Sequence, residues 1–232
     1  MTDIRQNIHV VQDRVAQAAT RSPYLGGADD VTLIAVTKNH GIEAMRQAID
    51  EGLVVVGENR VQEAESKYDV LSRDVSWHLI GHLQSNKAKK AVRLFDLIHS
   101  VDSLSLAEAI NSAAGKEDKR QDILLQVNVA KDENKFGLEA DEVMDVARAV
   151  CKMEHLRLRG LMTIAPFVKD SETVRPFFRK LRELYEQLQK ADLAGSQIDC
   201  LSMGMTHDYV VAVEEGANMI RVGTGIFGAR EY

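Results

Sequence analysis

Residues 32–38 read Thr-Leu-Ile-Ala-Val-Thr-Lys, a short apolar run that ends in a lysine. A run rich in β-branched residues predicts a strand that is buried on both faces. Lys38 stands at its carboxyl end, where ligands bind in parallel α/β folds. Burial makes an ammonium group easier to deprotonate, and a neutral lysine amine is a nucleophile toward carbonyl groups. Taken alone, the stretch also fits a lysine that simply extends its charged end into solvent.

The same alternation of strand and helix continues along the whole chain. The predicted strands are residues 32–38, 53–59, 76–81, 97–101, 123–129, 158–164, 198–202 and 219–223. Helices are predicted over residues 3–19, 42–51, 61–71, 139–153, 173–188 and 208–215, with two more beginning near Ser85 and at Asp102 or Ser103. This order predicts one domain over residues 1–232, a single (β/α)8 TIM barrel with an extra N-terminal helix.

Composition excludes several classes of protein. The 232 residues are 45% hydrophobic and 28% charged, as in an ordinary globular protein. A net charge of -6 disfavours partners such as nucleic acid or a membrane surface. The two cysteines, Cys151 and Cys200, match no metal-binding spacing and indicate a reducing compartment. With no apolar leader or membrane-length stretch, a cytoplasmic location is expected.

Polar residues gather where the predicted strands end. They are Lys38, Asn59, His78, Asn128, the segment 202–208, Arg221, Gly223 and Thr224. Because the carboxyl ends of barrel strands surround one mouth, we expect these residues to form one site.

Residues 223–228 spell G-x-G-x-x-G. A dinucleotide site is rejected, because that motif needs a further helix, a strand and an acidic residue about 20 positions on. The remaining interpretation is a glycine-rich loop that offers backbone N–H groups to a phosphate, with the Thr206 hydroxyl added from the seventh strand. The alternative is that these glycines only permit tight turns.

Arg221 lies within an otherwise apolar strand and needs a partner, either an acidic side chain or an acceptor atom of a ligand. A lysine amine, a phosphate loop and an arginine around one cavity suggest a phosphorylated aldehyde. Pyridoxal 5′-phosphate fits this description. Its aldehyde would form a Schiff base with Lys38, its phosphate would bind Gly223, Thr224 and Thr206, and its ring nitrogen would face Arg221.

Other candidate groups have simpler explanations. His78 is either an acid–base group or, as is commoner for a strand histidine, a structural residue. His207 and Asp208 are adjacent, but no serine or cysteine nucleophile accompanies them. Glu58 shows no metal-ligand pattern. A basic helix face, consisting of Lys87, Lys89, Lys90 and Arg93, lacks interleaved aromatics and is expected to be solvated.

Five motifs carry a resemblance to a known family. They are GENRVQE (57–63), WHLIGHLQSNK (77–87), LRGLM (158–162), LSMGM (201–205) and RVGTGIFGAR (221–230). Through them the chain resembles the pyridoxal phosphate homeostasis proteins, whose fold is similar to the N-terminal barrel domain of alanine racemases. The resemblance runs from Val36 to Arg230.

The resemblance implies a set of cofactor-binding residues. Lys38 would be the Schiff-base lysine, Asn59 would lie near the cofactor, and Arg221 would face the pyridine nitrogen. The phosphate would be held by Thr206, Gly223 and Thr224, and the strand-seven motif adds Ser202 and Met203. The chain departs from the family pattern with Thr37 and Thr206 in place of serines and with Leu79 in place of an aromatic residue. None of these changes removes a proposed ligand.

A racemase needs acid–base groups on both faces of the cofactor, and in the resembled racemases the second comes from an extra domain and a partner subunit. An arginine at the ring nitrogen also makes the ring a poorer electron sink. We therefore expect a monomeric carrier and buffer of pyridoxal phosphate without significant turnover, which passes the cofactor to transient apo-enzyme partners. The alternatives are a weak amino-acid racemase and a cofactor-free Schiff-base aldolase acting on a sugar phosphate.

Overall fold

The structure, a computed structural model, describes residues 3–71, 75–132 and 134–228. Within these ranges, eight parallel strands close into a barrel in chain order. The strands are β1 (Thr32–Val36), β2 (Val55–Glu58), β3 (Ser76–Leu79), β4 (Leu97–Val101), β5 (Gln121–Gln126), β6 (Leu156–Met162), β7 (Cys200–Met205) and β8 (Met219–Val222). β8 pairs with β1 and places Arg221 opposite Ile34, which closes the barrel. The predicted (β/α)8 barrel is confirmed.

Helices surround the barrel. In the described part of the chain they are α1 (Ile4–Ala19), α2 (Ile42–Asp50), α3 (Val61–Leu71), α4 (Ala88–Leu94), α5 (Leu104–Lys116), α6 (Val143–Val150), α7 (Arg175–Lys190), α8 (Tyr209–Glu214) and α9 (Thr224–Phe227). The extra N-terminal helix is present as α1. The Asp3 side chain caps it by accepting from the amide of Gln6, and Asn7 donates 2.8 Å to the carbonyl of Ile226 in α9.

The core has two parts, because most strand residues are buried on both faces of the sheet. Most buried apolar side chains fill the space between the barrel and its helices. A smaller group, Leu97, Leu124, Met162 and Cys200, forms its own cluster. His99 lies two residues after Leu97 in β4, and Ser202 lies two residues after Cys200 in β7. Each polar side chain therefore points to the same face of its strand as the apolar one before it. The barrel interior therefore changes from apolar to polar toward the carboxyl ends of the strands.

Some predicted strand ends are wrong. β1 ends at Val36, two residues before Lys38. β6 begins at Leu156, because charged Arg157 and Arg159 still belong to the strand and pair with Asp122. β7 was expected to end at Ser202 but continues to Met205. Gly204 has a φ of 91°, and a Cβ there would lie 2.6 Å from that of Ala212, so the glycine serves the close approach of α8 and does not end the strand.

No helix in the described ranges combines the length and the apolar character needed to cross a membrane.

Candidate functional site

The carboxyl ends of β1 and β2 bring two predicted residues together. Val36 pairs with Gly57 in the sheet. Lys38 and Asn59, each two residues further along, are both half-buried. Asn59 also lines a cleft of about 420 Å³ that reaches Arg60 and Lys87. The predicted lysine and asparagine are thus neighbours at the mouth of the barrel.

The predicted phosphate-binding residues also converge. The amides of Gly223 and Gly225 donate to Thr206 Oγ1 across 3.4 and 3.3 Å, and the Thr224 hydroxyl donates to the same atom across 3.3 Å. Three donors at long distance therefore point at a single oxygen. This donor set fits a phosphate oxygen, which accepts several strong hydrogen bonds. The segment is not the loop expected from the sequence, because residues 224–227 form one helical turn, α9.

The segment predicted to bind phosphate, residues 223–225, lies directly beside β1. A Cβ added to Gly223 would lie 3.3 Å from the Cβ of Val36, and one added to Gly225 would lie 2.8 Å from Val222 Cγ1. Backbone amides can come close to a bound group only where such side chains are missing. The converging donors at Thr206 therefore lie next to the end of the strand that leads to Lys38.

Arg221 is buried, with 3% of its surface exposed. Its Nη1 donates to Ser202 Oγ at 2.5 Å, and its Nη2 donates to the carbonyl of Thr163 at 2.7 Å. Both acceptors are neutral. Burial lowers the pKa of Arg221 to about 10, with an opposing effect from Asp208, so the guanidinium keeps its charge at neutral pH. The acidic partner left open by the sequence is not among the described hydrogen bonds.

Two histidines, His99 and His78, extend the hydrogen-bond chain from Ser202 into the barrel interior. His99 Nδ1 lies 3.0 Å from Ser202 Oγ, and His99 Nε2 lies 3.0 Å from His78 Nδ1. Burial lowers the pKa of His78 to about 4 and that of His99 well below its ordinary value, so both rings are neutral at pH 7. His78 is therefore a member of a buried hydrogen-bond chain. Sequence reasoning missed His99, although it is a polar residue in an apolar strand.

A buried ion-pair cluster lies beside the backbone that carries Lys38. Lys67 Nζ donates to Glu58 Oε1 at 2.7 Å, to Glu63 Oε1 at 2.9 Å and to the carbonyl of Thr37 at 2.9 Å. The Thr37 hydroxyl donates to Glu58 at 2.6 Å, and the amide of Asn39 donates to Glu63. These bonds hold the residues on both sides of Lys38. Sequence reasoning missed this role of Glu58 and Lys67, although Glu58 and Glu63 belong to the GENRVQE motif.

The two carboxyl groups of this cluster differ in acidity. Burial raises the pKa of Glu58, although Lys67 and Thr37 donate to it. Burial also works against ionisation of Glu63, but the bonds from Lys67 and Asn39 outweigh it and hold the pKa of Glu63 below its ordinary value. The hydrogen bond and charge of Lys67 therefore oppose the effect of burial on the Glu58 carboxyl group.

The remaining candidates lie elsewhere or have local roles. The side chain of Met203 is buried in the core between barrel and helices and does not join the polar group at the mouth. Asn128 exchanges two hydrogen bonds with the backbone of Asp132 and so braces the loop after β5. His207 contacts Phe167 edge-on, and Asp208 accepts from the amide of Met205.

The basic helix face is partly neutralised, because Lys90 pairs with Glu65 and Arg93 pairs with Glu117. In the chain segments that the structure describes, no three His, Cys, Asp or Glu side chains are grouped as metal ligands.

Comparison with known proteins gives consistent matches over nearly the whole chain. Residues 3–231 match the family model described as "Alanine racemase, N-terminal domain". The chain is 41% identical over 223 residues to the pyridoxal phosphate homeostasis protein of Aquifex aeolicus (strain VF5), which covers 96% of each chain. The barrel is therefore of the alanine racemase N-terminal domain type.

Two solved structures are also similar. A crystal structure of an unknown protein from Bifidobacterium adolescentis has a TM-score of 0.91 and 35% identity, covering 97% of this chain and 94% of that one. PipY of Synechococcus elongatus PCC7942, solved with pyridoxal phosphate bound, has a TM-score of 0.80 and 39% identity, covering 94% of this chain and 100% of that one.

Proposed function

The chain belongs to the pyridoxal phosphate homeostasis protein family, and from that membership we propose that it binds pyridoxal 5′-phosphate and holds it in reserve without catalytic turnover. One observation carries the proposal: the donors of Gly223, Thr224 and Gly225 converge on Thr206 beside the strand that leads to Lys38. The PipY relative, which has pyridoxal phosphate in its structure, supports the choice of ligand.

The residues at the mouth fit each part of this cofactor. The amides and hydroxyls around Thr206 would hold the phosphate, Arg221 would donate to the ring nitrogen, and Asn59 would lie beside the ring. When bound, the cofactor supplies an aldehyde that condenses with an amine and releases water. Lys38 Nζ would be the amine for that condensation, and the resulting imine would hold the aldehyde covalently. Water or another amine would reverse the bond and release the cofactor.

Arg221 also supports the non-catalytic part of the proposal. An arginine keeps its protons and can only donate, so it cannot protonate a pyridine nitrogen. A neutral ring withdraws electrons less strongly than a pyridinium, which disfavours proton abstraction from a bound amino acid. The site would therefore protect the aldehyde without activating a substrate. A cytoplasmic monomer that hands its cofactor to transient apo-enzyme partners completes the proposal.

The test is the visible absorbance of purified protein after pyridoxal phosphate has been added and unbound cofactor dialysed away. We expect a band that survives dialysis, becomes permanent on borohydride reduction, and maps to Lys38 by mass spectrometry. Lys38→Ala should lose the band, whereas Lys87→Ala, a lysine in the cleft beside Asn59, should keep it. A wild-type protein that stays colourless, or a label on another residue, would refute the proposal.

Turnover is tested separately with the same protein. Loaded wild-type protein is incubated with single enantiomers of alanine and other amino acids, and the opposite enantiomer is measured by chiral chromatography. We expect the wild type to form no more of the opposite enantiomer than the Lys38→Ala variant does. Sustained formation that depends on Lys38 would replace the carrier with a weak racemase.

A further inference from the structure

Arg221 is the first member of a buried chain of four side chains. Its Nη1 lies 2.5 Å from Ser202 Oγ, Ser202 Oγ lies 3.0 Å from His99 Nδ1, and His99 Nε2 lies 3.0 Å from His78 Nδ1. Ser202 and His99 are fully buried, and Arg221 and His78 are 3% and 6% exposed. We propose that this chain, the Arg221 relay, runs in one direction and that His99 is a positioning residue that orients the guanidinium toward its ligand.

The direction follows from counting protons. A guanidinium has no acceptor, so the bond between Arg221 and Ser202 uses a lone pair of the serine. The serine proton then needs an acceptor, and His99 Nδ1 is the acceptor in reach among the described contacts. With Nδ1 accepting, the neutral His99 ring carries its proton on Nε2 and donates it to His78 Nδ1. The reverse order would leave a buried serine proton without a partner, which is costly.

The relay controls the orientation of Arg221 because the guanidinium is planar and is held at two points. Ser202 holds Nη1, and the carbonyl of Thr163 holds Nη2 at 2.7 Å. Thr163 is itself held, since its hydroxyl donates 2.7 Å to the carbonyl of Val127. If His99 no longer accepts its proton, the Ser202 hydroxyl can rotate, and one of the two anchors of the guanidinium plane is lost.

The hydrogen-bond partners of Arg221 are neutral, so they leave the positive charge of the guanidinium available to a ligand. A carboxylate in the position of Ser202 would form an ion pair with the guanidinium and weaken its donation to any other acceptor. A hydroxyl and two imidazoles orient the group by their dipoles and add no opposite charge. The consequence for the bound cofactor rests on the proposed function, whereas the direction of the relay does not.

The direction is tested by nitrogen-15 NMR of the imidazole rings in protein that has not been exposed to pyridoxal phosphate. We expect His99 to be protonated on Nε2 and unprotonated on Nδ1, and His78 to be unprotonated on Nδ1. His78→Gln and His99→Asn variants assign the signals. A proton on Nδ1 of His99, or a doubly protonated ring at pH 7, would show that the relay does not run in this direction.

The positioning role is tested with His99→Leu and His99→Asn. The leucine removes both hydrogen bonds, whereas the asparagine oxygen can replace Nδ1 as the acceptor for Ser202. We expect His99→Leu to weaken pyridoxal phosphate binding by about tenfold, the equivalent of one buried hydrogen bond, and to shift the visible band. His99→Asn should stay within about twofold of wild type, and Ser202→Ala should resemble His99→Leu.

Leu124→Val, in the apolar cluster of the barrel, controls for a general loss of packing and should leave the band unchanged. If His99→Leu does not fold, Ser202→Ala and the NMR measurement decide the question. Normal affinity and an unchanged band in a folded His99→Leu would reject the positioning role. Failure of the wild type to bind pyridoxal phosphate would instead reject the proposed function, while NMR would still determine the direction of the relay.

Discussion

The Lys67 ammonium group donates a hydrogen bond to the carbonyl oxygen of Thr37, 2.9 Å away and thirty residues earlier in the chain. The same group binds Glu58, whose side chain is fully buried. The side chain of Lys67, on helix α3 of the outer layer, thus extends through the core and contacts the backbone next to Lys38. The position of the proposed Schiff-base lysine depends on this contact as well as on the strand.

Replacing Lys67 with methionine should destabilise the protein strongly. The change would leave Glu58 buried without its counter-charge, and breaking one partner of a buried pair costs about 3–5 kcal/mol. The free energy of unfolding, measured with urea, gives the loss. Lys90→Met is the matched control, because its pair with Glu65 is half-exposed and should be worth less than about 1 kcal/mol. Equal losses in both variants would contradict a buried role for Lys67.

Gly225→Ala should weaken binding of the phosphate in particular. The new Cβ would lie 2.8 Å from Val222 Cγ1 and 3.2 Å from Thr206 Cγ2, so the converging donors must move. We expect affinity for pyridoxal phosphate to fall on the order of tenfold, while affinity for pyridoxal, which lacks the phosphate, stays the same. Fluorescence titration with both compounds measures the difference. Gly27→Ala has open space around its Cβ and should change neither value.

Much of the barrel can be read from the sequence, for a physical reason. Parallel strands buried on both faces leave apolar runs in the sequence, and β1 is a clear example. Because the ends of such strands meet, the sequence predicts one site for residues as distant as Lys38 and Arg221. Gly223 and Gly225 follow the eighth strand, so the sequence also predicts that they lie at this mouth of the barrel.

The relay and the ion-pair cluster could not be predicted in this way. His99 and Ser202 are 103 positions apart, and their contact depends on which polar residues of β4 and β7 point inward at the same height in the barrel. Lys67 resembles any charged residue on an amphipathic helix, and its burial follows only from the position of Glu58 on the neighbouring strand. The predicted seventh strand ended too early, at residue 202, because sequence alone does not show that α8 packs against Gly204.

Asp199→Asn should remove part of the pH dependence of stability. Burial opposes ionisation of Asp199, but two hydrogen bonds from Arg159, of 2.8 and 2.7 Å, hold its pKa below the ordinary value. A carboxyl group with a lowered folded-state pKa stabilises the protein above its unfolded pKa, and the effect disappears as the pH falls through the folded value. The free energy of unfolding of the wild type should therefore exceed that of the variant by a constant margin from pH 7 to about 5. This margin should shrink below about pH 4.

Urea unfolding at several pH values measures that margin. Asp145→Asn is the matched control, because the Asp145 side chain is 85% exposed in its pair with Arg148. It should show almost no margin at any pH, as expected for an exposed pair. A margin for Asp199 that grows on acidification would contradict the assigned direction of its pKa.

The two cysteines should differ sharply in reactivity toward a disulfide reagent such as DTNB. Burial, together with the charge of Asp199, raises the pKa of the Cys200 thiol to about 12, and only 3% of that residue is exposed. Burial also raises the pKa of Cys151, but this residue is half-buried and stays within reach of solvent. Thiolate, and not thiol, is the reacting species, so native protein at pH 8 should be labelled slowly and at Cys151 alone. Cys151→Ser should then show no native labelling and one reactive thiol in denaturant, whereas rapid labelling of that variant in its native state would mean that β7 opens to solvent.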